Sequence, residues 1–279
     1  MSDPELVQLQ PGHLTDFLEN ELRSLGVSAR NGYLAMLRKF FDVLVVRHAI
    51  VLNPARSVTS EKFEVLEGLT PEIAKKQARQ LLNSVDTSTL VGLRDRLVLA
   101  ILVYTAARGG AVAKLRGSDI EFDGTQYQLR FREKGGKFRR IPMRHDLQEL
   151  LEDYMTAAGL RIGDKTPLLR SAKGRTGTLT DRGVSADDVR RITKRRLVDA
   201  GFGTRQTRRD SLGKAYATDY KSDYRPHSFR VATITDLIAQ RIPLEDVQKL
   251  VGHKDARTTK LYDRSERKVT RNIVERISI

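Results

Sequence analysis

A histidine and an arginine three residues apart, His227 and Arg230, have the types and spacing of an anion-binding pair. They follow Pro226, which suits the first position of a helix, and side chains at i and i+3 share one helix face. The N-terminus of a helix also attracts negative charge through its free N–H groups. The pattern indicates a phosphate site, although the pair alone is more typical of an ordinary polar helix start.

Other residues suited to phosphate chemistry are spread along the chain. Arg108 follows an apolar helical segment, where an arginine is usually a surface cap. Lys134 and Lys137 flank a predicted hairpin turn, and charged hairpin tips are ordinarily solvated. His253 precedes Tyr262 by nine residues, yet most tyrosines are half-buried packing groups. Each of these features is weak evidence for a site when it is taken by itself.

Several classes of reactive site are excluded or unsupported. The sequence has no cysteine, which rules out disulfides, thiolate metal ligands and a cysteine nucleophile. Its five histidines are scattered, without the spacing of a metal site. Neither a Walker-type glycine loop nor a Gly-x-Ser-x-Gly elbow occurs. We therefore expect no metal and no cofactor.

The charge balance indicates an anionic partner. The chain of 279 residues has 50 Lys and Arg against 35 Asp and Glu, a net charge of +15. Residues 1–58 are neutral overall, so the excess lies in 59–279. Such an excess favours nucleic acid over an anionic membrane. Since no long apolar segment or signal-peptide pattern is present, we expect a soluble intracellular protein.

Hydrophobic periodicity predicts a helical N-terminal module over residues 1–58, with a linker at about 53–62. Apolar residues recur at helical spacing over 14–25 and again over 33–45. Ser28 is a typical cap for the second of these helices. Two helices alone form only a small core, so we expect their apolar faces to pack on the second module or on a partner chain.

The second module, residues 59–279, is predicted to be mainly α with a small antiparallel β-sheet, an α+β fold. A threonine before a proline, Thr70, is a typical helix start. Period-two alternation predicts strands over 127–132 and 138–143 and a third strand near 119–122.

Further helices are predicted in the second module between and after these strands. They span 89–107, 146–158, 185–200, 227–240, 244–251 and the stretch from 257 onward. Tyr262 is expected on a short helical stretch over 258–264. Residues 202–226 are polar and are predicted to form a long loop, a feature that is often functional.

The order and spacing of these pieces resemble the catalytic domain of the tyrosine site-specific recombinases, the phage integrase family. The resemblance covers about residues 65–270. Each matching segment alone is weak, but the set in this order is specific. The segments are Gly92–Arg96 leading to Tyr104–Arg108, Glu133–Pro142, Pro226–Arg230 and Leu250–Tyr262.

The resemblance implies a catalytic role for each motif residue. The two arginines would clamp the scissile phosphate, two histidines would assist, a lysine would protonate the leaving 5′-oxygen, and a tyrosine would be the nucleophile. Arginine stays charged and offers a planar fork to phosphate, while a phenol with a pKa of about 10 must lose its proton as it attacks. These residues are Arg108, Arg230, His227, His253, Lys134 and Tyr262.

The chain departs from the family pattern near its first arginine. The acidic residue that usually follows three positions later is Ala111 here, and the usual glycine before the arginine is replaced within Ala106-Ala107. The acid normally supports the active site, so its orientation here needs another explanation. The N-terminal module also looks short for the core-binding domain of the family.

The resemblance implies an enzyme that cleaves and rejoins double-stranded DNA at specific recombination sites, through a 3′-phosphotyrosyl intermediate and a Holliday junction. It implies a homotetramer in which residues 264–279 dock on a neighbour, located in the cytoplasm on the bacterial nucleoid or a mobile element. The same tyrosine chemistry would also suit a type IB topoisomerase, and the scaffold a catalytically silent DNA-binding protein. A basic membrane-surface protein would need a lysine-lined amphipathic helix, which the sequence lacks.

Overall fold

The chain divides into two compact units, Met1–Leu66 and Glu67–Ile279. A computed structural model describes most of both units. The described residues are 6–62, 70–132, 136, 138–174, 176–209, 214–253 and 255–262.

The first unit is helical. Its elements are a 3-10 turn at Leu6–Gln8, α1 at Pro11–Asp16, a π-helical continuation at Phe17–Glu21 and α2 at Val27–Val46. The predicted Ser28 cap is wrong, because the cap position is Gly26 and α2 begins at Val27, so Ser28 lies inside the helix. A small core of buried apolar side chains holds the unit together: Leu14, Leu18, Leu34, Phe41, Ala55 and Val58.

The second unit is built around one buried helix. The helices are α3 (Lys75–Asn83), α4 (Leu90–Thr105), α5 (Gly109–Val112), α6 (His145–Ala158), α7 (Ala186–Asp199), α8 (Pro226–Ala239), α9 (Leu244–Val251) and α10 (Ala256–Lys260). Every residue from Leu97 to Leu102 is buried, since the middle of α4 is apolar on all sides. Thr89 begins α4 by accepting a hydrogen bond of 3.0 Å from the backbone N–H of Gly92.

The predicted helix start at Thr70 is wrong. Residues 70–74 are not helical, and α3 begins only at Lys75 with Ala74 in the cap position. The reason lies in the core, because Ile73 is fully buried there. Burial of this side chain fixes the segment in a non-helical path and overrides a good local start signal.

A three-stranded antiparallel sheet packs on the helical core in the order β1-β2-β3. The strands are Ile120–Phe122, Tyr127–Arg132 and Phe138–Pro142, which confirms the predicted sheet. Leu129 pairs with Ile120 on one side and with Ile141 on the other, and all of these side chains are buried. The alternation therefore places one face of the sheet on the core.

Two further hairpins complete the second unit. Strands β4 (Arg170–Ala172) and β5 (Leu179–Gly183) form the first, and β6 (Thr204–Arg209) and β7 (Ala215–Lys221) form the second. The predicted loop over 202–226 is therefore wrong. All six residues of β6 are exposed, so the segment lacks the apolar alternation by which a strand is usually recognised.

Polar cross-strand pairs stabilise the β6–β7 hairpin in place of a core. The guanidinium of Arg205 lies 5.4 Å from the ring centroid of Tyr220, its direct neighbour on the other strand. Arg208 forms an ion pair of 2.5 Å with Asp219. Such pairs each contribute a few tenths of a kcal/mol to about 1 kcal/mol.

A buried ion cluster joins α4 to α7. The carboxylate of Asp95 is fully buried and lies 2.8 Å from Arg94, 2.6 Å from Arg195 and 2.7 Å from Arg196. A buried carboxylate without cationic partners destabilises the fold, so separating α7 from α4 would be costly, and the cluster holds the two helices together.

The architecture confirms the predicted mainly α fold with small antiparallel sheets. No described helix has the length and apolar character needed to cross a bilayer.

Candidate active site

The turn between α4 and α5 positions Arg108. The hydroxyl of Thr105 donates to the carbonyl of Ile101 at 2.6 Å and accepts from the N–H of Ala107 at 3.3 Å. Ala106 then takes a left-handed conformation with φ of 50°, which reverses the chain. This conformation favours glycine and explains why the family usually has one in this stretch. The exposed Arg108 follows as the cap residue of α5.

The start of α8 lies beside the start of α5. Pro226 occupies the first helical position of α8, as its sequence predicts. A Cβ placed on Gly109 would lie 3.7 Å from the Cβ of Pro226, so only a small residue fits comfortably there. The residues next to this contact are Arg108 on one side and His227 on the other. Two motifs far apart in the sequence thus meet at two helix starts.

Arg230 ties three segments together from inside the protein. Its side chain is almost fully buried, and its two terminal nitrogens donate to backbone carbonyls. Nη1 lies 2.6 Å from the oxygen of Ala106, and Nη2 lies 2.6 Å from the oxygen of Val251. The guanidinium therefore fixes the turn that carries Arg108 and also the end of α9.

The end of α9 presents His253 to Tyr262. Gly252 stops α9 in a left-handed conformation with φ of 67°, and His253 follows. Nδ1 of His253 lies 2.9 Å from the hydroxyl of Thr259, which fixes its ring. That ring stacks on Tyr262 with 5.8 Å between centroids and 16° between planes.

The hydroxyl of Tyr262 lies 3.2 Å from Nε2 of His227. The tyrosine is buried, with 8% of its surface exposed, so its phenol points into the site rather than into bulk water. The expected helical position is wrong, because α10 ends at Lys260 and Tyr262 lies in the turn beyond it. Because Tyr262 lies in a turn, the regular geometry of a helix does not constrain the direction of its side chain.

The structure brings together five of the six predicted site residues. Direct contacts join His227, His253 and Tyr262, and Arg230 holds the backbone on either side of them. The charge of Arg108 acts on both histidines. Lys134 lies outside the described residues, as does Lys137.

Both histidines are held in the neutral form. Loss of water around the ring lowers the pKa of His227, although part of the residue remains exposed, and the charges of Arg230 and Arg108 add to the effect. The same causes, burial first, lower the pKa of His253 to about 4. A neutral His227 can accept a proton at Nε2, which faces the phenol of Tyr262.

Acid should therefore weaken the fold through His253. The unfolded chain takes up this proton near the ordinary value of 6.5, whereas the folded chain does so only at about 4. The stabilisation is fully present above pH 6.5 and is lost as the pH falls toward 4. We expect the Tm of the wild type to fall more steeply from pH 7 to 4.5 than the Tm of His253→Gln, measured by calorimetry. Equal slopes for the two proteins would contradict this assignment.

Arg139 is a positioning residue that the sequence analysis missed. It lies on β3, is 9% exposed, and its Nη1 donates to the carbonyl of Leu250 near the end of α9. Its guanidinium also lies 5.4 Å from the ring centroid of Phe131 on β2. The available signal was an arginine at an inward position of an alternating strand, two residues before the buried Ile141.

Position 111, where the family usually has an acidic residue, contributes to core packing in this chain. Ala111 is half buried and contacts the main core of the second unit. Arg230 instead fixes the local backbone, through its bond to the carbonyl of Ala106. The orientation of the turn before Arg108 thus has a support that does not need a carboxylate at position 111.

Comparison with known proteins shows the family to which the chain belongs. A model of the phage integrase family matches residues 71–268, which is most of the chain, and the chain therefore belongs to this family. A putative integrase/recombinase y4rF of Sinorhizobium fredii is 29% identical over 208 residues, which are 75% of this chain and 44% of that protein. The tyrosine recombinase XerD of Listeria monocytogenes is 28% identical over 246 residues, 86% of this chain and 73% of that protein.

Two solved structures share the fold. XerH bound to a palindromic difH substrate has a TM-score of 0.65 at 18% identity, covering 94% of this chain and 70% of that one. A λ integrase dimer bound to a COC′ core site has a TM-score of 0.64 at 17% identity, covering 96% and 84%. The chain spans only 44% and 57% of two curated relatives, y4rF and y4rA of S. fredii, so their whole-protein activities do not transfer directly.

Proposed function

We propose that this chain is a site-specific DNA recombinase that works through a 3′-phosphotyrosyl intermediate. One observation carries the proposal: the hydroxyl of Tyr262 lies 3.2 Å from Nε2 of His227, in a site where two arginines act on the same histidines. A phenol, a neutral proton acceptor and fixed cations are the groups that attack on a phosphodiester needs.

The reaction assigns a task to each group. The oxygen of Tyr262 forms a bond to the phosphorus, and its proton passes to Nε2 of His227. The bond from phosphorus to the 5′-oxygen breaks, and that oxygen takes a proton from Lys134, the role that the family resemblance gives this lysine. Arg108, which is exposed, stabilises the charge that gathers on the non-bridging oxygens, which is the main task in phosphoryl transfer. The family resemblance gives Arg230 the same task, and from its buried position it supplies a fixed positive charge beside the site.

The reverse reaction completes strand exchange. A free 5′-hydroxyl of a partner strand attacks the phosphotyrosyl bond, releases Tyr262 and restores a phosphodiester. Because the protein–DNA bond keeps the energy of the phosphodiester, the cycle needs no ATP. The cations of the site carry the electrostatic task, and the reaction as written needs no metal.

The proposed partner is double-stranded DNA with specific recombination sites, bound by four copies of the chain. A λ integrase structure of the same fold is a tetramer bound to a Holliday junction. A homotetramer on two DNA sites would let each cleaved strand meet its new partner. Residues 264–279, which lie outside the described residues, are proposed to dock on a neighbouring copy. We place this activity in the cytoplasm, on the nucleoid or a mobile element.

The test is to trap the covalent intermediate. The purified protein is incubated with fragmented genomic DNA, and denatured protein–DNA adducts are sequenced to find the target. A duplex of that sequence with a nick beside the cleavage position then loses its short 5′-hydroxyl fragment and traps the adduct. We expect a shifted band on a denaturing gel and strand exchange between two such sites. The absence of any adduct, or relaxation of a plasmid that lacks the site, would contradict the proposal.

A further inference from the structure

Two cavities lie between α7 and the β6–β7 hairpin, outside the candidate active site. Their volumes are about 590 and 600 Å³, and Lys194 and Lys221 line both of them. Lys194 belongs to α7, and Lys221 is the last residue of β7. The two cavities therefore share a wall that contains both lysines.

Seven cationic side chains line the cavity of about 590 Å³, and five of them, all arginines, are already paired. Its arginines each form an ion pair with an aspartate of the second unit. These arginines are Arg94, Arg190, Arg191, Arg195 and Arg208.

The two lysines differ from these arginines. Among the residues that the structure describes, no hydrogen bond or ion pair reaches the ammonium group of Lys194 or Lys221. The cavity wall therefore carries two positive charges that no described residue pairs with. Two such charges on facing elements attract an anion, and they repel each other until one is bound.

Lys221 lies close to the catalytic motif along the chain. Six residue steps separate it from His227. An extended chain spans at most about 3.6 Å for each residue, so the two Cα atoms lie within about 22 Å of each other. DNA rises about 3.4 Å for each base pair, so this distance corresponds to about six base pairs.

Lys194 is connected to the same motif through α7. The side chain of Val189 lies 3.4 Å from the position that a Cβ on Gly109 would take, next to Arg108. Lys194 follows Val189 by five residues, an axial distance of about 7.5 Å along a helix. Both lysines therefore lie on segments that also carry or contact the residues of the candidate active site.

We propose that Lys194 and Lys221 bind the phosphate backbone of the DNA substrate within about six base pairs of the cleavage position. The inference rests on the proposed function, because it places these lysines on the same DNA. Lysine is a compact point charge on a flexible stem, and contacts to phosphate carry no base information. The pair sets the position of the duplex without reading its sequence.

The test compares two variants that lose the same charge. Lys194→Gln with Lys221→Gln removes the proposed contacts, and Lys165→Gln with Lys173→Gln removes two exposed lysines that line neither cavity. The slope of log K against log salt is measured for binding to the target duplex. We expect the slope to fall by about 1.8 for the first variant, from about 0.9 for each phosphate, and by much less for the control.

Neutral phosphates locate the contact on the DNA. A methylphosphonate is placed at each position within about six base pairs of the cleavage position, and the loss of affinity is measured for the wild type and the first variant. We expect one or two positions to weaken the wild type and to leave the variant unaffected, the signature of a coupled pair. Equal sensitivity of both proteins at every position, or an unchanged salt slope, would overturn the assignment.

The outcome is separable from the proposed function. DNA binding precedes cleavage, so the salt slope can be measured on a duplex selected by binding alone, whether or not an adduct forms. The methylphosphonate pattern is added where an adduct has located the cleavage position. A wild type that forms adducts, with a variant of unchanged slope, overturns the lysine site alone. A wild type that forms no adduct contradicts the recombinase proposal, while the salt slope, measured on a duplex selected by binding, still decides the lysine site.

Discussion

Replacing Tyr262 by phenylalanine is expected to abolish the covalent protein–DNA complex and to leave DNA affinity unchanged. The substitution removes one oxygen, the atom that lies 3.2 Å from Nε2 of His227. The ring would keep its stacking on His253, so the site should keep its shape. Loss of the hydrogen bond should cost only about 1 kcal/mol of stability. The measurement is a denaturing gel of the protein incubated with the nicked duplex, beside a binding curve.

Tyr224→Phe is the matched control for this experiment. The hydroxyl of Tyr224 lies 3.3 Å from Oε1 of Gln77, and its ring centroid lies 6.5 Å from that of Phe202. The hydroxyl and the ring of this tyrosine are thus engaged with Gln77 and Phe202, so its variant should form the adduct at the rate of the wild type. An adduct with Tyr262→Phe would show that another residue is the nucleophile.

Arg230→Lys is expected both to destabilise the second unit and to stop cleavage. A lysine keeps the charge but cannot reach the carbonyls of Ala106 and Val251 at once, as the two guanidinium nitrogens do. At least one buried carbonyl loses its partner, and a charge with poorer partners stays buried. The expected loss is about 3 kcal/mol of the free energy of unfolding, measured by urea denaturation.

Cleavage should fail in Arg230→Lys even where the protein is folded. The turn before Arg108 and the end of α9 before His253 both depend on this guanidinium, so both groups move when it is lost. A displacement of about 1 Å can cost about a hundredfold in rate. Arg161→Lys, at an exposed arginine of the same unit, should change neither stability nor adduct formation. Normal cleavage by folded Arg230→Lys would contradict the assigned role.

The sequence predicted best where a local pattern and the core agreed. Apolar alternation gave the three-stranded sheet because Leu129 and Ile141 face the core in the observed register. It failed at α3, where burial of Ile73 overrides a strong start signal at Thr70. It failed again at β6, because a strand held by ion pairs and an aromatic contact has no apolar period to detect.

The same distinction applies to the site. The family resemblance predicted His227, His253 and Tyr262 as site residues, and the structure places the three side chains in contact. The role of Arg139 could not be predicted in this way, since its partner is a backbone carbonyl 111 positions away. A backbone acceptor carries no residue type, so only the folded chain reveals which arginine binds it.

The hydrogen bond from Arg139 to the carbonyl of Leu250 couples the β2–β3 hairpin to the segment that carries His253 and Tyr262. A hairpin transplanted from a relative would have to bring an arginine at this place, or the last turn of α9 would lose the donor for its carbonyl. The hairpin could then fold correctly and still disturb His253, which follows Leu250 by three residues and lies outside the exchanged segment. Chimaeras of such proteins should therefore exchange both segments together, even though the sequence separates them by more than a hundred residues.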